Sequence, residues 1–190
     1  MSKWHRAALA TAVTAITGAG IASLAGAGAG LTANATPAAT PAAGGSAARS
    51  VAANIRVVEG FLRDVIDEHH GNHAAAHLTA DMSWHGGTVG TVSGRANVAG
   101  LFAGVVAALP DAHATIYDAF GQGNEVVVRL VVAGTQRGPV LGIPASGRAI
   151  HWDGVDIFRV TGGKISEIWA GDDWSAILYY TGTYKAPWIR

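Results

Sequence analysis

The sequence contains no cysteine. That excludes disulfide staples and thiolate chemistry, so any folded part must stand on its apolar core. Charge is also scarce, at 14% of residues. Between Arg6 and Arg49 there is no Asp, Glu, Lys or Arg, and all 13 acidic residues follow Ser50. The 13 Lys and Arg residues balance the acids and form no cluster, which excludes the basic footprint that nucleic-acid binding needs. There is no internal repeat and no phosphate-cradling glycine loop. Gly26, Gly28 and Gly30 fall in the charge-free front, outside any strand–helix junction.

That front has the layout of a secretory signal. Met1 to Arg6 is short and basic, Ala7 to about Leu24 is weakly apolar, and Ala33-Asn34-Ala35 offers small residues for cleavage after Ala35. Ala, Gly and Thr dominate the stretch, so its transfer into lipid is poor for permanent spanning. The expectation is a signal over 1–35 and a secreted or extracytoplasmic protein, with membrane contact only through an uncleaved signal. Residues 36–49, with Pro37, Pro41, Gly44 and Gly45, read as a linker that cannot bury a core. The folded domain is expected over 50–190.

Within it, Val51, Ile55, Val58, Phe61, Leu62, Val65 and Ile66 recur at helical spacing, predicting a helix over Ser50–His70. A short helix through Leu78, a strand over Asp81–His85 and a helix from Arg95 to Leu109, stopped by Pro110, follow. Then the period changes to two. Thr115–Phe120, Glu125–Thr135, Arg148–Val160 and Lys164–Ala170 read as an antiparallel meander, before a last short helix over Asp172–Thr181. Helices followed by a meander make the class α+β.

The last hairpin can be registered from its Gly162-Gly163 turn. Pairing Thr161 with Lys164 sets Val160 opposite Ile165, Phe158 opposite Glu167, Asp156 opposite Trp169 and Trp152 opposite Asp173. Alternation puts these residues on one face. That apolar face then carries three carboxylates, Asp156, Glu167 and Asp173, which is costly unless they are paired or used. A bulge near Gly171 would move Asp173 alone.

Several segments taken in order resemble the SnoaL-like polyketide cyclase (ester cyclase) family, within the nuclear-transport-factor-2-like superfamily. They are Asp81-Met82-Ser83-Trp84-His85, Gly94-Arg95, Leu109-Pro110-Asp111, Pro144-Ala145-Ser146-Gly147-Arg148, Gly154 to Val160, Gly163-Lys164-Ile165, and Glu167-x-Trp169-x-x-x-Asp173. The resemblance covers nearly all of 54–184. It implies a cone-shaped α+β barrel, a curved antiparallel sheet closed by the N-terminal helices around a pocket. It also implies ring closure by intramolecular aldol condensation, without cofactor or metal. Asp173 corresponds by position to the family's acid/base, and His85 to the histidine of its early strand.

Each candidate has a plain structural alternative. Asp173 is either that acid/base or the N-cap of the last helix, with Asp172 as the other candidate for the cap. Asp156 and Glu167 either orient groups in the pocket or form a buried ion pair with Arg129, which could instead hold a substrate carbonyl. His85 is a proton shuttle or an exposed strand-end residue. Trp84, Trp152, Trp169 and Phe158 are expected to line the pocket. Tyr179, Tyr180, Tyr184 and Trp188 form an aromatic tail that either covers the pocket or makes a homodimer face. His73 and His77 stand at metal-sharing spacing, but Gly71-Asn72 interrupts the helix and no third ligand is evident. The cluster with His69 and His70 therefore reads as a solvated helix end, and no metal is expected.

The leading expectation is a domain that takes a small apolar or polyketide-like molecule and performs cyclase or isomerase chemistry beside a carbonyl. The alternative is a non-catalytic ligand-binding or dimerisation module of the same fold.

Overall fold

A computed structural model describes residues 43–189; the expected signal and the first part of the expected linker lie outside them. Helix α1 (Ala43–Leu62) begins within the segment expected to be linker and runs on through a π-helical turn, Arg63–Asp67. Its face of Val58, Phe61, Leu62, Val65 and Ile66 is buried, as the three- and four-residue spacing requires. A tight turn (Gly71–His73) and α2 (Ala74–His77) lead into β1 (Leu78–His85), which begins before the expected Asp81. Then come β2 (Thr91–Ser93), α3 (Arg95–Ala108), β3 (His113–Gln122), β4 (Glu125–Thr135), β5 (Ala149–Thr161), β6 (Lys164–Trp169) and α4 (Trp174–Thr181).

The strands form one curved six-stranded sheet in the order β2-β1-β6-β5-β4-β3. The meander from β3 to β6 is antiparallel throughout, and β1 joins it by a parallel pairing with β6. The fold is α+β, of the nuclear-transport-factor-2-like type, with α1 and α3 packed on the concave face. Along β5 alternate residues are buried, from Ile150 through Trp152, Gly154, Asp156 and Phe158 to Val160.

The β5–β6 hairpin departs from the expected register. Thr161 pairs with Lys164 and Val160 with Ile165, but then Phe158 pairs with Ile168 and Arg159 with Glu167. The odd residue is Ser166, whose hydroxyl donates to Arg159 O at 3.3 Å. Ile165 and Ile168 are both fully buried, yet they stand three apart, so a regular strand could send only one inward. Burying the second isoleucine is worth about 2 kcal/mol, more than the net contribution of a ladder hydrogen bond, about 1 kcal/mol. The bulge is the cheaper solution, and it turns Glu167 and Trp169 to the convex face.

The long loop between β4 and β5 is held from inside. Gln136 is completely buried. Its amide Nε2 donates to Ile143 O and Pro144 O, both at 3.1 Å, and its Oε1 accepts from Ser146 N at 3.1 Å and from Ser146 Oγ at 2.6 Å. Substituting Gln136 by Ala strips partners from a desolvated loop, and each polar group left unpaired costs about 1–3 kcal/mol. Gln136→Ala is expected to lower unfolding free energy by ~2 kcal/mol or more in urea titration, with greater proteolytic sensitivity across 137–148. Unchanged stability would refute this role for the amide.

Candidate functional site

The concave face of the sheet, α1, α3 and α4 enclose a cavity that opens to solvent on one side. Its walls are overwhelmingly apolar. Leu62 and Ile66 come from α1, Leu101, Phe102 and Val105 from α3, Leu130 and Val132 from β4, and Ile168 from β6. Val140 and Leu141 reach in from the loop that Gln136 secures. Leu141 holds φ at 50°, a left-handed conformation uncommon outside glycine. Trp174 and Ile177 of α4 close the remaining side, and the Trp174 indole N–H donates to Gly86 O at 3.0 Å, tying α4 to the end of β1.

Into this wall project two acids, Asp156 and Asp172. Asp156 is set on β5 between Trp152 and Phe158, its side chain accepting the Gly171 N–H at 3.0 Å. Asp172 follows β6, bridged to Gly154, and accepts the Trp152 indole N–H at 2.9 Å. Gly154 makes room for both. A Cβ there would lie 2.7 Å from Asp172 Oδ1 and 3.5 Å from Asp156 Oδ1. Gly171 is needed for a similar reason, since a Cβ on it would come within 2.5 Å of Val155 O.

The surroundings keep these acids protonated far above the ordinary range. Burial pushes Asp156 well up, the neighbouring Asp172 charge raises it further, and the Gly171 N–H opposes both only in part. Burial also pushes Asp172 up to about 6, against the pull of the Trp152 indole. Two like charges over one glycine in an apolar wall do not both ionise readily, so near neutral pH the pair holds a proton.

The expected site residues divide into groups. Trp84, Trp152, Phe158 and Asp156 line the cavity. Asp173 does not: it is exposed and caps α4, accepting from Ser175 N at 3.0 Å and Ala176 N at 3.3 Å. The alternation count placed it inward, but the strand ends at Trp169 and the chain rearranges through Gly171, leaving Asp172 as the inward acid. The N-cap preference could have distinguished them, because the cap immediately precedes Trp174 and only the other Asp remains.

Glu167, His85 and Trp169 do come together, but on the convex face. Glu167 does not line the cavity; it accepts from the Arg159 guanidinium, and its Oε1 meets His85 Nε2 at 3.0 Å. His85 stacks on Trp169, and Arg159 lies over the same indole at 4.7 Å. The bulge at Ser166 is the reason for Glu167 and Trp169, and the parallel pairing of His85 with Trp169 carries the histidine to the same side. Among the described residues Arg129 forms no buried ion pair, and it does not line the cavity. It is exposed and sits over the Tyr117 ring at 4.8 Å, because β4 turns Val126, Val128, Leu130 and Val132 inward instead. Of the aromatic tail, Tyr184 and Trp188 are exposed and Tyr180 packs against His151.

The sequence matches the SnoaL-like polyketide cyclase family over residues 56–179. No curated protein matches it. Among solved structures, TsrD from Streptomyces laurentii is 26% identical, with a TM-score of 0.62 over 70% of this chain and 97% of its own. A Catenulispora acidiphila protein of ketosteroid isomerase-like fold, in complex with trimethylamine, is 21% identical, with a TM-score of 0.57 over 70% of this chain and 97% of its own. An epoxide hydrolase of M. tuberculosis, described as LEH-like, is 16% identical, with a TM-score of 0.57 over 70% of this chain and 92% of its own. These last two are likenesses of fold.

The acid pair has a consequence for stability. An acid whose pKa rises on folding binds more protons folded than unfolded, so its contribution is greatest at low pH and declines as pH climbs from about 4 through the folded value. Asp172→Asn keeps an acceptor for Trp152 and removes the charge. It is expected to flatten the stability–pH curve and to raise stability above pH ~6 by ~2 kcal/mol, read by urea unfolding across pH. A loss of stability at pH ~8 would contradict the buried-acid assignment.

Proposed function

The chain belongs to the SnoaL-like polyketide cyclase family, and from that premise we propose that its cavity takes a small apolar or polyketide-like carbonyl compound and catalyses cofactor-free proton transfer on it. The observation that carries this reading is the pair Asp156 and Asp172, two acids held in an apolar cavity with raised pKa values. A pair that shares a proton supplies a base and an acid at the same place.

In the proposed step the ionised carboxylate removes a proton from the carbon next to a carbonyl. The protonated partner donates to that carbonyl oxygen, so the developing enolate charge meets a hydrogen bond in a dry site. The enolate carbon then attacks a second carbonyl of the same molecule, whose C=O π bond opens as the first C=O re-forms. One carbon–carbon bond forms, the new alkoxide takes a proton from the pair, and the atoms balance without an external reactant. The apolar walls fold the substrate so that the two carbons meet, which is worth more than either acid alone. In this reading the acid/base role expected for Asp173 belongs to Asp172 with Asp156. His85 and Glu167, on the convex face, take no part.

With a substrate found by screening diketide and polyketide analogues, Asp172→Asn and Asp156→Asn should each lower kcat by roughly 10²–10⁴-fold. Asp173→Asn, altered only at a helix cap, should stay within a few-fold. Turnover that survives both pocket substitutions sinks the catalytic reading. Tight ligand binding without turnover would make the domain a binding module instead.

We also propose export. Support comes from the basic start, the uncharged stretch and the Ala33-Asn34-Ala35 site. The mature protein recovered from an expressing culture should begin at Thr36 by N-terminal sequencing, and an uncleaved, cell-retained chain would overturn the proposal.

A further inference from the structure

At the far end of α1 three histidines converge on one carboxylate. Asp64 Oδ1 meets His70 Nδ1 at 2.8 Å and His73 Nδ1 at 3.2 Å, while its Oδ2 meets His77 Nε2 at 2.7 Å. One donor atom each from Asp64, His70 and His73 lies within 4.8 Å of the others. We infer that Asp64, His70 and His73 form a binding site for a divalent transition-metal ion, with His77 holding the carboxylate in place through its second oxygen.

The backbone brings these groups together by specific means. The π-helical turn Arg63–Asp67 carries Asp64 at the end of α1, a kind of turn frequent at functional sites. His69 then takes φ of 58°, a conformation a non-glycine residue keeps only when its surroundings hold it. Its ring Nε2 lies 2.9 Å from Ala112 O. Gly71 follows, buried so closely on α3 that a Cβ would lie 2.9 Å from Ala103 Cα. The reversal returns His70 and His73 over Asp64, and α2 sets His77 one turn beyond His73.

The chemistry fits a borderline cation. Two imidazoles and a carboxylate suit zinc, cobalt, nickel or copper better than calcium or magnesium. Zinc holds such ligands at about 2.0–2.2 Å, so tetrahedral donor atoms lie about 3.3 Å apart, near the 2.8 and 3.2 Å that separate Asp64 Oδ1 from the His70 and His73 nitrogens. The imidazoles that would adjust most, His70 and His73, are 46% and 49% exposed, whereas Asp64 and His77 are each 25% exposed. Glu68, 3.7 Å from His70 Nδ1, can add a further oxygen. His77 would do what the supporting partner of a metal ligand does, fixing its orientation. The sequence spacing alone paired His73 with His77; in the structure His70 and Asp64 join His73 as the ligand set, and His77 supports Asp64 instead.

The test uses the full chain without an affinity tag, stripped with EDTA. It is titrated near neutral pH with Zn²⁺ by calorimetry and with Co²⁺ by visible absorption. One equivalent of Zn²⁺ should bind with a micromolar or tighter Kd, raise Tm, and be mirrored by Co²⁺ bands of a nitrogen- and oxygen-ligated ion. The double variant His70→Ala/His73→Ala, altered at half-exposed side chains, should bind at least about tenfold more weakly, and His77→Gln about tenfold more weakly. His85→Ala should bind as the parent does. No uptake by the parent at about 100 µM Zn²⁺, or unchanged affinity in the double variant, would overturn the site.

Discussion

Two carboxylates share one apolar wall, and the backbone beside them is shaped to hold them there. Asp156 and Asp172 gain from a backbone N–H and an indole N–H, but among the described residues neither meets a cation, and isolated acids are expensive to bury. The structure answers the cost by proton retention rather than by ion pairing. Gly154 leaves the space above β5 in which both fit, and Gly171 lets the chain press against Val155 so that Asp172 points inward.

The sheet separates two kinds of chemistry. Its concave face holds apolar walls and the two acids whose pKa values burial raises. Its convex face holds an ionic network in which Glu167 lies between Arg159 and His85, both set about the Trp169 ring. One residue, Ser166, decides which side Glu167 joins. Without the bulge Glu167 would be a third acid in the cavity, and Ile168 would face outward. The same device therefore completes the core and leaves the cavity with two acids from the hairpin region instead of three.

Helix α1 likewise serves two directions. Leu62 and Ile66 face the cavity, while Asp64, between them, turns toward the histidines of the following reversal. The wide π turn at this point changes the angular spacing of consecutive side chains, so the cavity wall and the polar cluster are set by one local distortion.

The sequence by itself determined the α+β class, the strands of the meander, the inward direction of Asp156, Trp152 and Phe158, and the family. Those follow from local periodicity and segment order, which act over a few residues. Tertiary structure decided the rest. The bulge arises because two isoleucines three apart both find room in the core. The exchange of Asp173 for Asp172 depends on where β6 stops and α4 begins. The outward turn of Glu167, Trp169 and His85 follows from strand partners far apart in the chain, and Asp64 meets its histidines only because the reversal after α1 packs on α3. A strand's alternation is a local property, but its phase is fixed by what it packs against.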